Sequence, residues 1–148
     1  MKKETIIGAV CALLILLFLY ASVSKLVNIK VFEHDMYNQP FPHWLASFFI
    51  VAVPLSEILI SLALLFDRTQ LAGLWASLAL MGLFTLYTAA ILLHLFPRVP
   101  CGCGGVIRKL TWNQHLILNL FYVGITAGAI IALKRKGKPE QAKQIVYT

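Results

Sequence analysis

The chain has 148 residues, 59% of them hydrophobic and 13% charged, with mean hydropathy +0.80 and a net charge of +7. This balance is too apolar for a water-soluble domain of this size and defines an integral membrane protein. Membrane topology and anionic lipid account for the positive charge, so no nucleic acid partner is called for.

A bilayer core takes roughly 20 helical residues to cross. Four segments meet that requirement: Thr5–Val27, Leu45–Phe66, Leu71–Phe96 and Gln114–Leu133. The first follows Lys2 and Lys3 and ends in the small residues Ala21, Ser22 and Ser24, as a secretory signal would. Its apolar core exceeds the usual 7–15 residues of such a signal, so it is expected to remain as a membrane helix. Cys11, inside this span, reads as a small buried apolar residue. Lys25 lies near its end, where the long side chain is expected to snorkel to the headgroups. Its functional alternative is to favour the thiolate form of a nearby cysteine.

A connecting loop is expected between the first two spans. In the second, Glu57 follows Pro54 by three residues. A carboxylate at that depth costs several kcal/mol unless protonated or partnered, which makes Glu57 a candidate functional residue. Its structural alternative is a protonated acid hydrogen-bonded to a neighbouring hydroxyl, with Thr85 and Thr126 at suitable depth. Lys25 and Glu57 read as several turns apart, so no salt bridge is expected between them. The short turn Asp67-Arg68-Thr69-Gln70 makes the second and third spans antiparallel neighbours. Gly73, Ala76, Ala79, Gly82, Ala89 and Ala90 are small enough to let helices approach closely. Tyr87, in the third span, is a packing residue or a hydrogen-bond donor. The fourth span opens near Thr111 or Trp112, and Asn119, about one turn inside it, is expected to face the bundle. Residues 134–148 form a short basic tail, expected to be mobile.

The fold expected is therefore an all-α, up-down bundle of four transmembrane helices over residues 1–133, followed by that tail. Lysine and arginine are more frequent at the termini and the Asp67-Arg68 turn than at the other end. By the positive-inside rule both termini are cytoplasmic, and the connection before the fourth span faces outward, into the periplasm of a bacterium with this protein in its inner membrane.

That connection carries Cys101-Gly102-Cys103-Gly104-Gly105. Two thiols one residue apart can close a small disulfide ring, and the glycines make the backbone compliant enough to allow it. An exposed pair that opens and closes is an electron carrier. His94, His115 and Lys25 are candidates to lower a thiol pKa if folded close by. All four histidines, His34, His43, His94 and His115, map to the same side, which admits copper or zinc ligation. Their irregular spacing and the lack of a second cysteine pair argue against it, and no metal is assigned.

Taken together, Ser24-Lys25-Leu26 with Phe32 beyond it, Pro54-x-x-Glu57, Tyr87, Cys101-Gly102-Cys103, Trp112, His115 and Asn119 resemble the MauE branch of the DoxX-like membrane proteins. The resemblance covers nearly the whole chain and departs at Gly104-Gly105, where the family often has a bulky residue. It implies a four-helix, redox-associated protein that takes part in disulfide formation or electron transfer during maturation of periplasmic enzymes, often beside thioredoxin-like proteins. The chain carries no thioredoxin-like domain, so that partner is expected to be separate. Dithiol exchange through Cys101 and Cys103 needs no cofactor. By similarity to vitamin K epoxide reductase, a quinone between the helices near Glu57 and Tyr87 is an optional electron outlet. Two other readings stay open: an assembly scaffold stiffened by a permanent Cys101–Cys103 disulfide, and a copper- or zinc-handling protein.

Overall fold

A computed structural model describes the backbone of residues 2–97 and 110–146, with side chains through Arg135. Cys101 and Cys103, with their glycines, lie outside the described residues. The elements are α1 (Lys2–Val27), α2 (Ile29–Tyr37), α3 (His43–Leu65), α4 (Gln70–Leu92) and α5 (Trp112–Val146), and all regular structure among the described residues is helical.

Four of the helices are long and apolar enough to cross a membrane: Lys2–Val27, His43–Leu65, Gln70–Leu92 and Trp112–Arg135. At 1.5 Å per residue, the 23 residues of α3 span roughly 35 Å, enough for a hydrocarbon core of about 30 Å. α1 packs on α3, α3 on α4, α4 on α5 and α5 back on α1, so the four close into a ring.

Inward faces follow helical spacing. On α1 the buried positions are Ile7, Val10, Cys11, Leu14, Leu17, Phe18, Ala21, Ser22 and Lys25, a single stripe at three- and four-residue steps. Leu13, Leu16, Tyr20 and Val23 on the other side are exposed and equally apolar, as a lipid-facing surface is. Lipid is as apolar as leucine, so close packing rather than escape from water holds such helices together. Gly73 shows this most clearly: a Cβ there would lie 3.0 Å from Leu64 Cδ2 and 3.1 Å from the Leu64 backbone nitrogen. Of the small residues expected at helix contacts, Gly82 does not behave this way, because a Cβ on it would meet nothing within 4 Å. Ala76 and Ala79 are exposed.

The α3–α4 turn is closed by Thr69. Its hydroxyl donates to the Ala63 carbonyl at 2.8 Å, while its own carbonyl accepts from Gly73 N–H at 2.8 Å to begin α4.

Three boundaries differ from the sequence expectation. The link between the first two spans contains α2, set off from α1 at Asn28. Phe32 and Met36, one turn apart on α2, bury themselves against Ala46 and Ile50 of α3. The third span ends at Leu92 rather than Phe96. There His94 adopts a positive φ of 53°, and two hydrogen bonds close the helix, His94 N–H to Ile91 O and Leu95 N–H to Ala90 O. That bond pattern is a Schellman cap, with histidine where glycine is usual. Finally, the α5 backbone passes Leu133 and stays helical to Val146, through the segment expected to be mobile.

Candidate functional site

The most polar feature of the bundle interior is an ion pair between α1 and α3. Lys25 Nζ donates to Glu57 Oε1 at 2.7 Å, with Lys25 8% exposed and Glu57 1%. The ammonium also lies 5.9 Å from the centroid of the Phe32 ring. This corrects two expectations: Lys25 does not snorkel to the headgroups, and the two residues are not turns apart in depth. The physical reason is α2. Helix α1 ends at Val27 and the chain turns at Asn28 into α2, so Lys25, in the last turn of α1, lies beside Phe32 of α2 instead of at an open helix end. Phe32 of α2 and Ile50 of α3 belong to one packed cluster, and Lys25 and Glu57 meet where α1 packs on α3.

Neither hydroxyl considered as a partner of Glu57 bonds to it: Oε1 accepts from Lys25 and Oε2 has no hydrogen-bond partner among the described residues. Thr85 donates to Met81 O at 2.6 Å and Thr126 to Tyr122 O at 2.6 Å, each within its own helix.

A second polar contact joins Tyr87 of α4 to Gln39, in the link between α2 and α3. The Tyr87 hydroxyl donates to Gln39 Oε1, and Gln39 Nε2 donates to Asp35 O at 3.0 Å. Gln39 is 2% exposed. The Tyr87 ring packs against Phe41, at 5.4 Å between centroids, and against Phe96 at 6.0 Å. Tyr87 therefore ties the α2–α3 link to the root of the cysteine-bearing connection. Sequence reasoning missed Gln39: one glutamine between Asn38 and Pro40 carries no signal that it is buried.

The same connection returns to the bundle at a capped helix start. Thr111 N–H donates to Gln114 Oε1 at 3.0 Å, and Gln114 N–H donates to Thr111 Oγ1 at 3.4 Å, a reciprocal capping box. His115 follows, half-buried, with its ring 6.4 Å from that of Trp112. Asn119, one turn further, is half-buried on α5. His94 is exposed. The structure thus places His94 and His115 at the two roots of the connection and Lys25 with Glu57 inside the bundle. The cysteines these three were expected to tune lie outside the described residues.

Cys11 is a buried free thiol in α1. Among the described residues, no three His, Cys, Asp or Glu side chains gather as metal ligands would.

Four apolar spans in a closed ring, an interior ion pair and a capped connection define a multi-pass α-helical membrane protein. The family described as methylamine utilisation protein MauE matches residues 3–133, and the chain belongs to that family. The match runs from the start of α1 through the apolar part of α5. No curated protein and no solved structure matches the chain.

Proposed function

We propose that the protein is a membrane thiol–disulfide redox protein that exchanges electrons through Cys101 and Cys103 with a thioredoxin-like or maturing partner. The observation that carries this reading is the Cys-Gly-Cys-Gly-Gly run in the connection between two packed helices of a MauE-family protein. The lysine and arginine bias supports a bacterial inner-membrane setting, with the termini in the cytoplasm and the cysteines toward the periplasm, where thiols meet oxidising partners.

In the exchange, a thiolate of one protein attacks the disulfide of the other and forms a mixed disulfide, releasing one thiolate. The second cysteine of the attacking pair then displaces the remaining sulfur. One protein leaves as disulfide and the other as dithiol, with two electrons and two protons transferred. The same steps run in either direction, set by the two reduction potentials.

Dithiol exchange between proteins needs no cofactor. Glu57 and Tyr87, the side chains a quinone would meet, are each hydrogen-bonded to another side chain, and no step is routed through a quinone.

The test is a thiol-trapping redox titration of Cys101 and Cys103 in membranes carrying Cys11→Ala. A reversible two-electron transition at roughly −120 to −200 mV supports the exchange reading. A pair that stays oxidised to below about −300 mV is a structural staple and gives the scaffold reading instead.

A further inference from the structure

The Lys25–Glu57 pair is incompletely satisfied by the protein. Glu57 Oε2 is buried and has no hydrogen-bond partner among the described residues. An ammonium has three donors, and only the bond to Glu57 Oε1 is made to a described side chain, with the Phe32 ring near the same nitrogen. A buried ion pair is stable only when its remaining lone pairs and protons are also met. Acceptor and donors therefore stand side by side, each needing a partner that offers the other.

The residues next to the pair are small and polar. The layer on one side of the pair holds Phe32 and Ile50, and Phe18 and Leu64 lie in the core on the other side. Between the pair and Phe18–Leu64, the stripes of α1 and α3 carry Ser22 and Ser61, 0% and 1% exposed. Each hydroxyl donates to a carbonyl of its own helix, Ser22 to Leu19 O at 3.1 Å and Ser61 to Glu57 O at 2.8 Å, which leaves both oxygens able to accept. Two serines in place of large apolar side chains make this layer polar and small-sided, the chemistry that suits a hydrated interior site.

We infer that the Lys25–Glu57 pair is an internal water-binding site, in which water accepts from Lys25 Nζ and donates to Glu57 Oε2, with Ser22 and Ser61 as neighbouring acceptors. The ligand is a molecule of water size carrying both donor and acceptor. The site does not depend on the cysteine chemistry.

Water-edited solid-state NMR on the full chain in lipid bilayers tests this. Ser-Glu occurs once in the sequence, at Ser56-Glu57, so pairwise isotope labelling assigns the Glu57 signals without any variant. The Glu57 carboxyl carbon is expected to gain water magnetisation several-fold faster than the buried methyls of Ile60 and Leu64. Transfer to Glu57 no faster than to those methyls overturns the inference.

Discussion

Lys25 meets Glu57 at 2.7 Å inside a ring of apolar helices, and each is the other's compensation for leaving water. Removing one partner strands a buried charge, which costs about 3–5 kcal/mol, whereas replacing both with apolar residues of similar size is far milder. Lys25→Met and Glu57→Met are each expected to lower the unfolding midpoint in detergent strongly, and the double variant to recover most of the loss. Additive losses in the double variant would show that the pair is not coupled.

Gly73 sets the distance between α3 and α4. Its missing Cβ leaves room for the Leu64 backbone nitrogen, which cannot rotate away. Gly73→Ala is expected to destabilise by about 1–3 kcal/mol, the range for overpacking. Gly82→Ala adds a methyl to open space and removes helix-interior glycine, so it is expected to be neutral or stabilising by up to about 1 kcal/mol. Thermal unfolding of the two variants side by side checks the contrast.

His94 occupies a left-handed position that costs a residue with a Cβ about 1–2 kcal/mol. His94→Gly is expected to stabilise by roughly that amount, and His94→Val to destabilise, because branching at Cβ makes the conformation worse. Equal stability of the three proteins would mean that α4 ends differently in the membrane.

Tyr87 and Gln39 behave as a unit. Tyr87→Phe leaves the buried Gln39 Oε1 without its donor, and Gln39→Leu leaves the Tyr87 hydroxyl without this acceptor. Each is expected to cost about 1–3 kcal/mol, and the double variant less than the sum. A double-mutant cycle read by thermal unfolding measures the coupling.

The four spans and the tight turn at Asp67-Arg68 were legible because bilayer thickness imposes long apolar runs and Thr69 closes a connection too short for anything but antiparallel neighbours. Glu57 was legible as unusual, since an acid in such a run is conspicuous. Its partner was not. The depth of Lys25 depends on α2, whose nine residues mix Phe32 and Met36 with Lys30, Glu33, His34 and Asp35 and read as a loop. Only tertiary contact with Ala46 and Ile50 makes that segment a packed helix. The end of α4 was misread for a related reason: Leu93, Leu95 and Phe96 continue the apolar run, but the backbone reverses at His94 ahead of Pro97.

The ion pair joins residues 32 positions apart on two different helices, so neither charge finds its partner within its own span. Lys25, in the last turn of α1, could reach the headgroups if its helix stood alone, whereas Glu57, well inside α3, has no such outlet. The carboxylate in α3 is therefore matched only while α1 stands beside it, which makes the third helix the one that depends on its neighbour.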